Sequence, residues 1–155
     1  MKRSVWSAVA LGIAALGPVA CGEAPEKAEA GPAAPEGISV TNGRLMLPAV
    51  AGNPGAIYFD IANSGAQGRM IRAASVAGAG SAAMHTTVED SMQETLQVMV
   101  PPGGTVKFEP GGAHVMAMNL ADTVTPGSKA EVTLTFVGGD KVSFPAEVRA
   151  AGDER

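Results

Sequence analysis

Residues 130–144 have the sequence "AEVTLTFVGGDKVSF". Its apolar residues alternate with polar ones up to a Gly-Gly-Asp sequence, after which the alternation resumes. Residues two apart in an extended strand share a face, whereas the face of a helix repeats every three or four residues. The pattern therefore predicts two antiparallel strands joined by a tight turn. The side chains expected on the inward face are Val132, Leu134, Phe136, Val142 and Phe144.

The same period of two recurs upstream in "GAIYFDIAN", residues 55–63, where Ile57, Phe59 and Ile61 alternate with Tyr58 and Asp60. Turn clusters such as "NSGAQG", "VPPGG" and "EPGG" separate the other apolar runs, and no stretch sustains a helical period. About seven to nine short strands in one domain predict an all-β fold, an antiparallel Greek-key β-sandwich. The other apolar runs, which the turn clusters separate, are residues 70–76, 82–88, 95–100, 105–109 and 113–120.

The N-terminal segment predicts export. "MKRSVWSAVALGIAALGPVAC", residues 1–21, has two basic residues and then an uncharged, mostly apolar run that ends at Cys21. Small residues before a cysteine resemble a bacterial lipobox, so we expect lipidation of Cys21, with ordinary signal cleavage nearby as the alternative. The expected location is the periplasm of a Gram-negative bacterium, with the protein anchored to a membrane.

Composition divides the chain into four parts. Residues 21–37 contain only Ala, Pro, Gly, charged residues and Cys21, and such a segment cannot bury enough apolar surface to fold. The predicted parts are therefore a signal (1–20), a disordered tether (21–37), a β-sandwich domain (38–150) and a short tail (151–155). The net charge of −4 provides no basic surface for nucleic acid. The membrane is expected as a partner only through the lipid.

Histidine and methionine are concentrated in one region. Both histidines and five of the eight methionines fall between Met84 and Met118. In a strand, His114, Met116 and Met118 share one face. Thioether sulfur and imidazole nitrogen suit Cu(I), and a protein outside the cytoplasm has reason to avoid oxidisable thiolates. The alternative is a hydrogen-bonded histidine beside methionines that fill the core.

These residues resemble the periplasmic copper(I) chaperones of the PCu(A)C type, whose signature is a histidine and a methionine followed at a fixed distance by His-x-Met. Here 21 residues separate Met92 from His114-Val115-Met116, which is the family distance. Six residues separate His85 from Met92, fewer than in the family pattern. The resemblance implies Cu(I) as the bound ion and His85, Met92, His114 and Met116 as its ligands.

Other methionines remain to be assigned. The shortened spacing leaves Met99 as an alternative fourth ligand. Met84 is expected to pack on the opposite face from His85, and Met118 is expected to lie behind the ligands or in the core. Met46 and Met70 are expected in the core.

The resemblance further implies a cupredoxin-like fold and delivery of copper to the assembling CuA centre of cytochrome c oxidase. The implied partner is the oxidase subunit or a thiol-bearing Sco-type assembly factor. A blue-copper electron carrier needs a cysteine ligand, and residues 38–150 contain no cysteine. No cysteine nucleophile or Gly-x-Ser-x-Gly motif is present there either, so we expect no enzyme. The alternatives are copper sequestration for tolerance and a β-sandwich interaction module without metal.

Overall fold

The computed structural model describes residues 34–153, which form ten β-strands and, within that range, no helix. The prediction of an all-β domain is confirmed. None of these residues belongs to a helix long and apolar enough to span a membrane. The strands are β1 (Ile38–Met46), β2 (Gly55–Asn63), β3 (Arg69–Val76), β4 (Ala79–Val88), β5 (Ser91–Glu94), β6 (Val98–Val100), β7 (Gly104–Phe108), β8 (His114–Leu120), β9 (Lys129–Phe136) and β10 (Lys141–Arg149).

All ten strands belong to one hydrogen-bonded sheet. Their order is β5-β4-β8-β2-β1-β10-β9-β3-β6, and β7 pairs with the last part of β2 while β8 pairs with its first part. Strands that follow one another in sequence are often separated in the sheet, as in Greek-key connections. The pairings are antiparallel with one exception, which is the parallel pair of β1 and β10. A parallel pair requires a long connection, and here nearly the whole domain lies between its two strands.

The core lies between the two halves of this sheet. No helix in residues 34–153 covers either face, yet Phe59 in β2 and Leu134 in β9 are both fully buried. The halves must therefore cover each other, as in a sandwich. The Phe59 ring lies 4.2 Å from that of Phe108 and 4.9 Å from that of Phe144, measured between centroids. Each such side chain contributes about 1.5–3 kcal/mol through burial.

The hairpin predicted from residues 130–144 is confirmed. Val132 pairs with Phe144, and Thr135 pairs with Lys141. The turn between the strands contains Gly138 and Gly139 at φ values of 104° and 97°. This left-handed region is costly for residues with a Cβ atom, which explains the two glycines.

A bulge in β1 changes which side chains face outward. Three residue steps on β1, from Thr41 to Arg44, are matched by two on β2, from Asp60 to Tyr58. The extra residue reverses the alternation, so Arg44 shares a face with Tyr58. The bulge includes Gly43, where an added Cβ would lie only 2.7 Å from the Pro145 carbonyl oxygen. We infer that close packing against β10 requires glycine there.

Candidate metal centre

The two histidines of the chain are direct neighbours in the sheet. His85 in β4 pairs with His114 in β8, and the centroids of their rings lie 5.9 Å apart with an interplanar angle of 17°. The preceding pair, Met84 with Val115, is buried in the core. Because successive residues in a strand alternate in direction, both imidazoles lie on the outer face of this half of the sheet. We call this surface the histidine face.

His114 is fixed by the turn that precedes its strand. The side chain is 96% buried, since its exposed fraction is 4%, and its Nδ1–H donates to the Gly112 carbonyl oxygen at 3.0 Å. The turn itself is closed by backbone hydrogen bonds from Gly112 to Glu109 and from Glu109 to Ala113. With the proton on Nδ1, the lone pair lies on Nε2, which is then the nitrogen able to bind a metal.

His85 differs from His114 in the surroundings of its Nδ1 atom. Its Nδ1 is buried and has no hydrogen-bond partner, and it is the only such side-chain nitrogen or oxygen among residues 34–153. An unpaired buried polar atom destabilises a protein by about 1–3 kcal/mol and calls for an explanation. A bound metal ion would provide the missing interaction.

Met116 also lies on the histidine face. It is two residues after His114 on β8, and its cross-strand neighbours are Ala83 in β4 and Ala56 in β2. Alanine side chains are too short to cover a thioether. Met116 thus lies one row from the imidazole pair, between two short side chains.

Met92 lies on the same face but on the other side of the histidine pair. It is opposite Thr87, two residues along β4 from His85, and its exposed fraction is 55%. Diagonal neighbours of this kind are about 7–8 Å apart between α-carbons. Met92 and Met116 thus lie on opposite sides of the imidazole pair along the strands, and Met92 belongs to the edge strand β5.

The short spacing between His85 and Met92 has a structural cause. Val88 pairs with Ser91, so only Glu89 and Asp90 form the turn between β4 and β5. Their φ values are 49° and 61°, as a tight hairpin turn requires. The turn brings Met92 back onto the face of His85 after only six intervening residues.

The structure does not bring Met99 to the histidine pair. Met99 is in β6, which pairs with β3 at the other end of the strand order, and its sulfur lies against Gly68. Met84 is buried in the core, and Met118 is half-buried on the histidine face opposite Ser81.

The expectation that Met46 and Met70 belong to the core is wrong. Both are half-buried, because the adjacent residues Leu45 and Ile71 face the core and successive residues of a strand point to opposite faces. Met46 lines a small cavity of about 110 Å³ together with Arg44, Tyr58 and Pro110.

Sequence reasoning missed three side chains of the histidine face. The Tyr58 ring lies 6.4 Å from that of His114 between centroids, and the Arg44 guanidinium lies 5.1 Å from the centre of the Tyr58 ring. Glu94 is directly opposite His85. Alternation places Tyr58 outward from sequence alone, but neither the bulge at Arg44 nor the position of Glu94 follows from it.

The donors on this face are mostly neutral. Residues 34–153 contain no group of three or more His, Cys, Asp and Glu side chains close enough to hold a metal ion. Beyond the two imidazoles, the uncharged donors on their flanks are the thioethers of Met116 and Met92. Such a set fits Cu(I), because Zn(II) and Ca(II) prefer anionic or harder ligands. A cavity of about 400 Å³ lies away from the histidine face and is lined by residues that include Glu36, Ser64 and Arg69.

The sequence matches a known family over almost the whole described domain. The model of the LpqE-like lipoproteins matches residues 38–148. The chain belongs to the LpqE-like lipoprotein family. A protein of Leifsonia xyli subsp. xyli, named as a lipoprotein, is 30% identical over 109 residues. The matched region is 67% of this chain and 64% of that protein, so the match spans less than two thirds of the relative.

Solved structures similar to this LpqE-like chain include PCuAC domains. The apo domain of PmoF1 is 27% identical with a TM-score of 0.65, covering 74% of this chain and 94% of that one. The copper-bound domain of PmoF2 is 24% identical, with a TM-score of 0.63 and coverages of 74% and 93%. The Cu(I) form of DR1885 from Deinococcus radiodurans is 24% identical, with a TM-score of 0.59 and coverages of 83% and 85%. The predicted cupredoxin-like fold and the resemblance to the PCu(A)C type are confirmed.

A lipoprotein is exported and held at a membrane by acyl chains on a cysteine. Family membership therefore agrees with the anchoring expected of Cys21. Cys21 itself, the predicted signal and most of the tether lie outside the described residues.

Proposed function

We propose that this chain is a copper chaperone that binds Cu(I) outside the cytoplasm and releases it to a membrane-bound recipient. The observation that supports this most strongly is the neighbouring pair of His85 and His114, with a buried, unpartnered Nδ1 on His85 and Met116 on the same face. Copper-bound forms of the similar PmoF2 and DR1885 domains also support the proposal.

The proposed ligands are His85, His114 and Met116, with Met92 as the fourth. Met92 is exposed at the margin of the histidine face, and an exposed ligand can be replaced first when an acceptor arrives. Neutral imidazole and thioether ligands bind Cu(I) more weakly than thiolates do, so a thiolate acceptor gains the ion by stepwise exchange. This chemistry suits binding and transfer rather than catalysis.

The proposed recipient is cytochrome c oxidase during assembly of its CuA centre, reached directly or through a Sco-type thiol protein. This part of the proposal is supported by the PCu(A)C resemblance. We place the domain in the periplasm, anchored through lipidated Cys21. If the predicted tether of 17 residues behaves as a coil, it spans on the order of 20–25 Å, which is enough to reach the outer face of a protein in the same membrane.

The binding step is tested by titrating the purified protein with Cu(I) and Zn(II) and counting bound ions by native mass spectrometry. We expect one Cu(I) and no comparable Zn(II). His114→Ala and Met116→Leu should each weaken Cu(I) binding by roughly tenfold or more. Met118→Leu is the matched control, because Met118 is on the same strand and face one step further away. Equal loss in Met116→Leu and Met118→Leu would contradict the proposed ligand set.

The delivery step is tested by deleting the gene and measuring oxidase activity under copper limitation. Delivery predicts a loss of activity that added copper rescues and that the His114→Ala variant reproduces. Normal oxidase activity with increased copper sensitivity would favour sequestration instead. A strain with neither phenotype would exclude both copper functions and leave the interaction module.

A further inference from the structure

Glu94 and the two histidines form one row across three adjacent strands. Glu94 in β5 is directly opposite His85 in β4, which is directly opposite His114 in β8. Directly opposite residues have their Cβ atoms about 4.5–5.5 Å apart and their side chains on the same face. The histidine face thus holds a carboxylate in line with two imidazoles.

We propose that Glu94 is a ligand for copper in its divalent state, so that the chain binds Cu(II) through His85, His114 and Glu94. The inference rests on the proposed copper function and adds a second oxidation state, Cu(II), with a ligand of its own. Imidazole and carboxylate suit Cu(II), whereas the thioethers of Met116 and Met92 suit Cu(I). The imidazole pair therefore has soft thioether neighbours on its flanks and a hard carboxylate neighbour, Glu94, in its own row.

The position of Glu94 favours it over Met92 as a partner of His85 when the ion is hard. Glu94 is directly opposite His85, whereas Met92 is a diagonal neighbour at about 7–8 Å between α-carbons. The side chain of Glu94 is exposed and makes no hydrogen bond or ion pair within the described part of the chain. Its carboxylate is thus free to bind, and His85 has a buried nitrogen that lacks a partner.

Binding requires Glu94 to turn towards His85, because the three side chains do not converge into a metal-holding group within residues 34–153. The turn involves only rotations about side-chain bonds of a solvent-exposed residue, which interchange freely. The other explanation of Glu94 is a surface charge that discourages pairing at the edge strand β5. If Glu94 is a ligand, the affinity for Cu(II) depends on a carboxylate at position 94. If Glu94 is only a surface charge, loss of another carboxylate from the same hairpin has an equal effect on that affinity.

The test compares Glu94→Gln with Glu89→Gln. Both variants remove one negative charge from the same hairpin, but Glu89 lies in the turn, outside the row. Affinities of the purified proteins for Cu(II) and Cu(I) are measured by competition with chelators of known affinity. We expect Glu94→Gln to weaken Cu(II) binding by roughly tenfold or more and to leave Cu(I) binding within about twofold. The electron paramagnetic resonance spectrum of bound Cu(II) should also change in Glu94→Gln and not in Glu89→Gln.

The outcomes separate this inference from the proposed function. Equal loss of Cu(II) affinity in the two variants would overturn the inference, since it would show an effect of charge alone. It is also overturned if the wild-type protein binds Cu(I) tightly but not Cu(II), in which case the proposed function stands. If the wild-type protein does not bind Cu(I), the proposed chaperone function itself fails.

Discussion

At the scale of single residues, the two histidines are neighbours with different surroundings. The carbonyl of Gly112 orients His114, whereas Nδ1 of His85 is buried without a partner. The remaining ligand choice is between Met92 and Met99. Only Met92 shares the histidine face, because β5 pairs with β4 while β6 pairs with β3.

We therefore predict that Met92→Leu weakens Cu(I) binding and Met99→Leu does not. Leucine keeps the apolar bulk of methionine and removes only the sulfur, so a change in affinity reports the lost ligand. The expected loss for Met92→Leu is roughly tenfold, measured by competition with a Cu(I)-specific chelator. Met99→Leu is the matched control because Met99 is exposed to a similar extent, 50% against 55%. Loss in Met99→Leu alone would show that the sequence-based assignment of Met92 is wrong.

Part of the candidate site follows from the sequence. The alternation of "AHVMAMN" puts His114 and Met116 on one face, and the spacing to Met92 adds a third residue. The pairing of His85 with His114 does not follow, because the register between strands depends on contacts that local sequence does not record. Glu94 was missed for the same reason.

At the scale of elements, the hairpin of β4 and β5 positions both Met92 and Glu94. Its turn consists of Glu89 and Asp90, and both have positive φ values. Such turns favour Asn-Gly, since a left-handed conformation costs most other residues about 1–2 kcal/mol. The hairpin is therefore strained at its tip.

We predict that the double substitution Glu89→Asn and Asp90→Gly raises the free energy of unfolding by about 1 kcal/mol. Relief of strain at both positions exceeds the extra freedom that glycine gains in the unfolded chain, which is about 0.5–1 kcal/mol. Urea unfolding followed by circular dichroism measures the change. Glu89→Gln, which keeps a strained side chain, should have almost no effect. If Glu89→Gln is as stabilising as the double substitution, the gain comes from removal of charge and not from the backbone.

The strands that sequence analysis missed are those with weak alternation. β5 has four exposed residues and no apolar face, so nothing in "SMQE" predicts a strand. The run at 95–100 predicts six residues of strand, but β6 contains only Val98–Val100 because Thr95 hydrogen-bonds to Met84 and Gln97 instead. In β1 the bulge interrupts the period of two.

For the complete domain, the sandwich follows from the sequence because buried alternating strands without a helix must cover each other. Residues 34–153 form ten strands, one more than the upper limit of the predicted seven to nine. The parallel pairing of β1 with β10 could not be predicted, since it joins the first and last strands of the domain and depends on the complete fold. This pairing holds the first strand of the domain against the last.

The N-terminal sequence predicts that the protein is anchored to a membrane through Cys21. We expect Cys21→Ser to release the protein from the membrane fraction, because serine cannot carry the thioether-linked lipid. Each buried methylene of an acyl chain contributes about 0.8 kcal/mol to membrane binding, so loss of the chains removes nearly all of the affinity. Fractionation and intact mass of the wild-type and variant proteins measure the effect. His114→Ala, which alters only the histidine face, is the control and should stay in the membrane fraction.

Release should also lower oxidase activity under copper limitation, because a tethered domain has a higher effective concentration near a recipient in its own membrane. A wild-type protein that is soluble and lacks acyl chains by mass would refute lipidation and leave cleavage of an ordinary signal.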